Sequence, residues 1–303
     1  MASRNGGGAE GIARWLATLC DDRAMSTSSR PAPPPSGGVH TSRPIAKADL
    51  IEGMAKGMAV LESFDFQRQR LNATLAADRA GITRAAARRH LLTLAHLGYL
   101  ETDGSYFWLS AKVLRFSGSY LASARLPRAI QPTLNRLAAQ TQESFSAGVL
   151  DADEVVIVGR SGYEWKNSSD GAVRVLAYGL HLGARLPAHA TSTGRVLLAA
   201  KSKTAMVQGL KGRALPRLTT RTIIEPKQFR AAIDQVRADD YSLAVEEHEL
   251  GVHALAVPLR NMQGKTVAAL NVVASPQRLS AQAMLRDLLP LLLDAARELR
   301  PLL

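Results

Sequence analysis

Three arginines with helical spacing are the residues of this sequence that point most directly to chemistry. Arg84 and Arg88 lie four positions apart, so a helix places them on one face, with Arg89 next to them. Guanidinium groups bind phosphate oxygens and the edges of guanine bases. The small side chain of Ala85 would let such a helix approach a groove wall closely. The alternative is an ordinary solvated basic face, which is the commoner fate of a basic cluster.

The segment that follows these arginines predicts a β-hairpin. In "YLETDGSYFWLS", residues 99–110, the side chains alternate around Asp103-Gly104, a pair typical of a two-residue turn whose central positions both accept positive φ. A basic helix followed at once by a hairpin has the order of a recognition helix and its wing. Because this order arises by chance less readily than three arginines do, we favour DNA binding. On the wing, the predicted DNA contacts are Ser105 and Tyr106.

Two further helices are expected before the basic one. Apolar residues at spacings of three and four predict a first helix around Met58, Leu61 and Phe64-Asp65. Residues 73–80 suit a second helix, which Gly81 ends by taking the left-handed conformation. The three helices and the hairpin together predict a winged helix-turn-helix.

The basic helix itself has a clear start signal. Thr83 is expected to cap a helix from Arg84 to about His96, and we include Thr83 among the predicted DNA contacts. Residues 53–125 contain ten Lys/Arg and five Asp/Glu, so this part of the chain is itself cationic. We therefore predict a DNA-binding domain over residues 53–110.

The composition of the whole chain limits its class. A length of 303 residues suffices for two domains with separate cores, and a formal net charge of +12 favours a polyanionic partner. Cys20 is the only cysteine, which excludes a disulfide framework and fits the reducing cytoplasm, where we expect the protein. No apolar run approaches the length of a membrane span, so no membrane partner is expected.

Residues 1–52 have the composition of a segment without a core. They include a glycine run at 6–8 and the low-complexity stretch "STSSRPAPPPSGG" at 26–38. The apolar segment 12–20 lacks a basic flank and a clear cleavage site, so we interpret it as a tail rather than a signal peptide. We predict that residues 1–52 form a disordered N-terminal extension.

The rest of the chain predicts a linker helix and an α+β domain. The linker covers residues 111–127, of which about 111–123 are helical, and the domain covers 128–303. Short turns between the strands, with helices at the start and the end, indicate an antiparallel sheet covered by helices. The predicted elements of the domain are helices at 129–141, 193–200, 226–239 and 280–298, and strands at 144–150, 154–160, 172–178, 242–246, 252–259 and 265–273.

Four segments of the chain are similar to the successive signature segments of the IclR family of bacterial transcriptional regulators. They are "KGMAVLESFD" at 56–65, "GITRAAARRHLLTLAHLGYL" at 81–100, "GARLPAHATSTGRVLLA" at 183–199 and "EEHELGVHALAVPLRNMQGKTVAALNVVAS" at 246–275. Within the family they most resemble the branch that controls protocatechuate and 4-hydroxybenzoate catabolism, the β-ketoadipate pathway. The resemblance covers residues 54 to about 300.

The resemblance implies a DNA-binding dimer, or a dimer of dimers, with a GAF-like C-terminal domain that binds a small organic acid. Matching the family's cavity segments position by position gives the expected effector-binding residues Gly183, Ala184, Arg185, His189, Thr191, Ser192, Glu247 and Asn271. The sequence departs from the family pattern at Val245, where an aspartate is common, and at Ala254, where Cys or Ser is expected. Because two polar contacts are missing, we expect an effector larger or more apolar than glyoxylate.

The residues themselves support part of this assignment. Thr191-Ser192 would cap a helix whose free N–H groups and positive dipole end attract a carboxylate. Arg185 either adds a bidentate clamp to that carboxylate or lies on the surface, with even weight. His189 is either a structural histidine or a contact of the effector.

An enzyme is the competing class, and its signals are weak. Ser192, either His189 or His248, and Glu247 could be combined into a hydrolase triad, but no G-x-S-x-G, GxGxxG or Walker A motif is present. On a strand, Glu247 and His248 would point to opposite faces, which disfavours a metal pair. His90 and His96 have no ligand spacing either. We expect no catalytic residue, no metal and no cofactor.

The sequence therefore predicts a DNA-binding transcriptional regulator of aromatic-acid catabolism, controlled by a small organic or aromatic acid. The expected partners are an inverted-repeat DNA operator, the acid, a second or further copies of the chain and, for an activator, RNA polymerase. A regulator of another carbon-source pathway and a DNA-binding protein without a ligand are the alternatives.

Overall fold

The computed structural model describes residues 46, 48–65, 68–161, 181–210 and 215–303. The predicted strand at 172–178 and nearly all of the predicted N-terminal extension lie outside these residues. The domain boundaries drawn from the sequence stay predictions. Across the described ranges, no helix combines the length and the apolar composition that a membrane crossing requires.

Three helices open the described part of the chain, as predicted. They are α1 (Glu52–Leu61), α2 (Ala73–Ala80) and α3 (Arg84–His96). Asn72 caps α2 by accepting hydrogen bonds from two backbone N–H groups, and Gly81 ends it with a φ of 65°. The expectation that Phe64 belongs to the first helix was wrong, because the Ser63 hydroxyl donates to the Val60 carbonyl after the last turn. Phe64 instead packs in the core that the three helices share.

A two-stranded hairpin follows, with β1 (Leu100–Thr102) antiparallel to β2 (Phe107–Leu109). The prediction of a two-residue turn was wrong, because Thr102 pairs with Phe107 and the loop therefore spans residues 103–106. Only Gly104 takes a positive φ, of 96°. Asp103 acts through its side chain, whose Oδ1 accepts hydrogen bonds from the N–H groups of Ser105 and Tyr106 at 3.0 and 2.8 Å. These hydrogen bonds to the charged form lower the pKa of the Asp103 carboxyl.

The linker is tied to the end of α3 by a compact set of contacts, which we call the α3–linker joint (Leu97–Tyr99, Ser110, Lys112 and Phe116). Ser110 Oγ donates to the Gly98 carbonyl at 2.5 Å, and Lys112 Nζ donates to the Leu97 carbonyl at 2.6 Å. The Lys112 ammonium also lies 4.8 Å from the ring centre of Tyr99, which stacks on Phe116. Linker side chains thereby satisfy the two backbone carbonyls that directly follow α3, while N–H groups of residues 97–99 satisfy carbonyls of its last turn.

The linker comprises a 3-10 turn at Ala111–Val113 and helix α4 (Leu114–Ser123), and α5 (Arg125–Thr141) follows at once. The prediction that the next helix begins at residue 129 was wrong by one turn. Pro127 falls within the first turn of α5, where its missing N–H has no intrahelical acceptor, so it does not delay the helix.

A six-stranded antiparallel sheet forms the centre of the C-terminal domain, in the order β5-β4-β3-β8-β7-β6. Its strands are β3 (Ser144–Asp151), β4 (Glu154–Arg160), β5 (Arg185–Pro187), β6 (Ser242–Val245), β7 (His253–Arg260) and β8 (Thr266–Ala274). The short edge strand β5 was not predicted, nor was the 3-10 turn at Ala188–Ala190 that follows it. The α+β fold with an antiparallel sheet is confirmed.

Helices cover both faces of this sheet. The described helices after β5 are α6 (Ser192–Ala199), α7 (Lys203–Leu210), α8 (Pro226–Asp239), α9 (Ala281–Ala283) and α10 (Leu289–Leu299). On one face, α5 and α10 bury a large aliphatic core that includes Phe145 and Leu270. On the other face, α6 packs on small residues such as Ala256 and Ala269.

The single helix predicted at 280–298 is divided by a π turn at Met284–Leu288. Pro290 has no N–H to donate to the carbonyl of residue 286, so the ladder widens at this point.

Candidate DNA-binding and effector-binding sites

Helix α3 has one buried and one basic side, as the sequence predicted. Thr83 caps it by accepting a hydrogen bond from the Ala86 N–H, and Ala87 and Leu91 are buried against the other helices. The arginines are fully on the solvent side. All of the DNA contacts predicted for this helix and its cap are exposed: Thr83, Arg84, Ala85, Arg88 and Arg89. Within the described part of the chain none of these arginines makes an ion pair, so their guanidinium groups are available to phosphates.

The wing presents polar and aromatic groups at its tip. Ser105 and Tyr106 are exposed, and the Tyr106 carbonyl accepts a hydrogen bond from Thr102 Oγ1 at 2.8 Å. An arginine that the sequence reasoning did not single out lies beside the hairpin. The Arg70 guanidinium is 4.4 Å from the ring centre of Trp108 and pairs with Asp103 at 2.7 Å. Its signal in the sequence was one of two arginines, Arg68 and Arg70, just before the second helix.

In the C-terminal domain, two of the expected effector contacts, Ser192 and Asn271, lie side by side. Ser192 Oγ donates to Asn271 Oδ1 at 3.0 Å, and Asn271 Nδ2 donates to Ser146 Oγ at 3.3 Å. All three side chains are buried. We call this set the Ser–Asn–Ser cluster (Ser146, Asn271 and Ser192). The cluster joins α6 to the two central strands, because Ser146 on β3 pairs with Asn271 on β8 in the sheet.

Thr191 and His189 lie just before α6 and are also buried. Thr191 Oγ1 accepts a hydrogen bond from the Gly194 N–H at 3.1 Å, which is the predicted cap. Gly194 is required here, since a Cβ would lie 2.2 Å from the Ala188 carbonyl oxygen. His189 Nε2 lies 2.9 Å from the Pro216 carbonyl. Burial lowers the pKa of His189, so the imidazole is favoured in its neutral form.

Glu247 forms a buried ion pair with Arg195, a residue that the sequence reasoning missed. Arg195 Nη1 donates to Glu247 Oε1 at 2.6 Å, Nη2 donates to Oε2, and Nε donates to the His189 carbonyl at 3.2 Å. Both side chains are at most 8% exposed. The signal that could have revealed Arg195 was a charge inside the apolar run "TGRVLLAA", where a buried arginine needs a partner.

Gly183 and Ala184 are joined to the neighbouring strand. The Gly183 N–H donates to the Ile157 carbonyl at 2.8 Å, and the Ile157 N–H donates to the Ala184 carbonyl at 3.0 Å. Gly183 has a φ of 83°, which favours glycine. Ala184 is buried in the apolar cluster around α6.

Arg185 directly follows Ala184, but its side chain is engaged at the surface. It is on the edge strand β5, where its Nη2 and Nε pair with Asp151 at 2.7 Å and Glu154 at 2.6 Å. Its side chain is 45% exposed. These contacts favour the surface alternative for Arg185 over the carboxylate clamp.

The features required by the enzyme alternative do not come together in the described residues. Ser192 donates to Asn271 rather than to a histidine. The assumption that Glu247 and His248 lie on a strand was wrong, because β6 ends at Val245 and Glu246 turns the chain with a φ of 56°. Among the described residues, no group of three or more His, Cys, Asp or Glu side chains could hold a metal ion.

Comparison with known proteins identifies both halves of the chain. The model of the IclR helix-turn-helix domain matches residues 53–104, and that of the bacterial transcriptional regulator IclR C-terminal domain matches residues 118–300.

Two curated relatives from Acinetobacter baylyi extend over most of the chain. The p-hydroxybenzoate hydroxylase transcriptional activator is 51% identical over 87% of this chain and 96% of its own length. The Pca operon regulatory protein is 48% identical over 86% of this chain and 91% of its own.

A solved structure matches the C-terminal part. It is the complex of a double mutant of the inducer-binding domain of the Acinetobacter PobR transcription factor with 3-hydroxybenzoic acid. The match has 45% identity and a TM-score of 0.54, over 58% of this chain and 98% of the solved one. With a capped basic helix and wing at one end and a family effector domain at the other, the chain belongs to the IclR family of bacterial transcriptional regulators.

Proposed function

We propose that this regulator controls genes of aromatic-acid catabolism and that its effector is an aromatic hydroxy acid of the hydroxybenzoate class. The observation that carries the proposal is the 51% identity, over 87% of the chain, to a transcriptional activator of p-hydroxybenzoate hydroxylase. A double mutant of the inducer-binding domain of a relative, 45% identical to this chain, forms a complex with 3-hydroxybenzoic acid.

The chemistry of the buried residues suits such a molecule. The Ser–Asn–Ser cluster supplies hydroxyl and amide groups that carry no net charge, which can accept from a phenol or donate to a carboxylate. The N-terminal end of α6 adds a partial positive charge for the acid group. Val245 pairs with His253 and therefore lies on the opposite face of the sheet from Asn271. Ala254, half-buried on the face of Asn271, is apolar where the family pattern is polar. An aromatic ring needs such apolar walls, whereas glyoxylate does not.

We assign effector contacts to His189, Thr191, Ser192 and Asn271 and to the loop of Gly183 and Ala184. His189 is kept neutral by burial, so it would act as a hydrogen-bonding group rather than as a counter-charge.

At the DNA, α3 would enter the major groove with Arg84, Arg88 and Arg89, and Ser105 and Tyr106 on the wing would contact the flanking backbone. The operator would be an inverted repeat bound by a homodimer or a tetramer. Self-association is supported by two groups of exposed apolar side chains, Met54 and Met58 on α1 and Leu114, Phe116 and Tyr120 on α4. No residue of α4 is buried. At an activated promoter, RNA polymerase would be a further partner.

Regulation would follow from differential binding. An effector that binds one arrangement of the protein more tightly than another shifts the population toward it, and operator affinity changes by the same coupling free energy. In this function the C-terminal domain binds its acid without turnover, and the protein works in the cytoplasm, where the operator is.

The test is thermal unfolding of the purified protein with protocatechuate, 4-hydroxybenzoate, β-ketoadipate, cis,cis-muconate and glyoxylate. A ligand that binds only the folded state raises the midpoint, by an amount that grows with its concentration. We expect a hydroxybenzoate to raise the midpoint and to change operator affinity. If no acid changes either quantity, the effector proposal fails and the alternative of a DNA-binding protein without a ligand is favoured. Consumption of the acid, abolished by Ser192→Ala, would instead establish an enzyme.

A further inference from the structure

The Arg195–Glu247 pair connects three segments that are distant in the sequence. Arg195 binds the His189 carbonyl on its own segment and Glu247 on the turn after β6. Glu247 Oε2 also accepts from the Ile223 N–H at 3.4 Å. The Glu247 carbonyl accepts from Thr222 Oγ1 at 2.7 Å, in the loop before α8. Residues 188–195, 216–223 and 246–251 therefore meet at one carboxylate, and we call them the three-segment wall.

The residues proposed to contact the effector belong to this wall or adjoin it. His189 lies six positions before Arg195 and contacts the Pro216 carbonyl of the second segment at 2.9 Å. Ser192 lies three positions before Arg195 on the same helix and donates to Asn271. A shift of the Arg195 side chain would therefore move both groups.

The positive charge of Arg195 is neutralised by a partner within the protein. Both terminal nitrogens donate to Glu247, the carboxylate carries the opposite charge, and the pair is buried. An incoming carboxylate would have to displace a bidentate partner that is itself held by a second segment. Buried ion pairs often add little stability compared with apolar residues of the same volume, but they fix one arrangement because every other leaves a buried charge unpaired.

We propose that Arg195 is a positioning residue of the effector site: paired with Glu247, it holds the three-segment wall in register, and the effector carboxylate binds elsewhere. The proposal rests on the proposed function. It also reassigns Glu247, which the family resemblance placed among the effector contacts, to the role of partner for Arg195.

The test separates folding from positioning with the variants Arg195→Lys, Glu247→Gln and the double variant Arg195→Met/Glu247→Leu. The double variant replaces the charges by apolar side chains and leaves no buried charge unpaired, so it is expected to fold with a thermal midpoint near that of the wild type. Its Kd for 4-hydroxybenzoate, measured by calorimetry, is expected to rise at least about tenfold, the change that one misplaced hydrogen bond produces. Arg195→Lys keeps the positive charge but cannot donate two parallel hydrogen bonds to Glu247, so it is expected to weaken binding of 4-hydroxybenzoate as well.

Arg260→Met is the matched control, because Arg260 forms a bidentate pair with Asp240 in the same domain and contacts none of the three segments. It is expected to leave the Kd within twofold of the wild type. A double variant that folds and binds with wild-type affinity overturns the proposal. Tighter binding by Glu247→Gln also overturns it, since freeing the guanidinium helps only if Arg195 itself binds the acid.

Hydrogen exchange gives a readout that needs no ligand. The N–H groups of Gly194, Ile223 and Gly251 are expected to lose protection in the double variant, while those of the central strands keep theirs. If the wild type binds no aromatic acid, the proposed function fails, and unchanged exchange at these three groups would separately refute the positioning role.

Discussion

Arg88→Ala gives the most direct test of the DNA-binding face. Arg88 lies on the exposed side of α3 and makes no ion pair with the described residues, so its loss is expected to change the free energy of unfolding by no more than about 0.5 kcal/mol. An arginine that neutralises a phosphate adds about 0.9 to the slope of log affinity against log salt. In the proposed dimer two copies of Arg88 contact the operator, so the slope is expected to fall by about 1.8.

The size of the effect follows from that slope. Between about 50 and 200 mM salt, two phosphate contacts account for roughly a twelvefold loss of affinity. Over this range of salt, the operator affinity of the wild type is expected to fall roughly twelvefold more than that of Arg88→Ala.

Fluorescence anisotropy of a labelled operator over a salt series measures both affinity and slope. Arg286→Ala is the control, since it removes an exposed arginine that pairs with its neighbour Asp287 in the C-terminal helical run. Unchanged affinity and slope in both Arg88→Ala and Arg84→Ala would remove this face from the interface and refute the reasoning.

Three further predictions concern the cores and the effector site. Leu91→Ala is expected to lower the free energy of unfolding by about 2–5 kcal/mol, because Leu91 is fully buried, whereas the exposed Leu92→Ala should cost about 1 kcal/mol or less in urea titrations. Ser192→Ala removes the donor to buried Asn271, so it is expected to lower the free energy of unfolding by about 1–3 kcal/mol and to weaken effector binding. Ser117→Ala, on the exposed face of α4, is the control and should change neither quantity. Equal effects of the two variants would contradict this prediction. Burial lowers the pKa of His189 in the folded state. The stability that neutral His189 contributes is therefore present above about pH 6.5, where the histidine of the unfolded chain is also neutral. This stability is lost as the pH falls toward the folded-state pKa. His189→Asn should flatten the decline of the thermal midpoint on acidification, and the exposed His96→Asn should not.

The helices of the DNA-binding domain could be predicted because their boundaries depend on local signals. Thr83 and Gly81 act on backbone groups within a few residues, so the sequence alone specifies where α3 begins and α2 ends. The hairpin was placed correctly but its turn was not. Asp103 was expected to adopt positive φ, whereas its carboxylate instead caps two N–H groups, an option that the Asp-Gly pattern does not distinguish.

The effector domain shows where local reasoning ends. Ser192, Thr191 and Asn271 could be named from the family resemblance, and the contact of Asn271 with Ser146 follows from the pairing of β3 with β8. Arg195 could not, because its partner lies 52 positions away and only the fold brings the two together. For Arg185, the sequence left two roles with equal weight, a carboxylate clamp and a surface residue. The choice between them depended on whether Asp151 and Glu154 came within reach of its guanidinium.

The α3–linker joint holds the recognition helix and the start of the linker together, so that the two rotate as one rigid lever. Helix α3 has 13 residues, and at 1.5 Å per residue it is roughly 20 Å long. The joint holds its C-terminal end, while Thr83 and Arg84 lie at the free end. A linker rotation of about 10° would therefore swing that free end by roughly 3.4 Å, the distance between neighbouring nucleotides along one strand of DNA. A small angular change in the linker is thus enough to move Arg84 by one whole position in the groove, and Arg88 and Arg89 by a smaller distance.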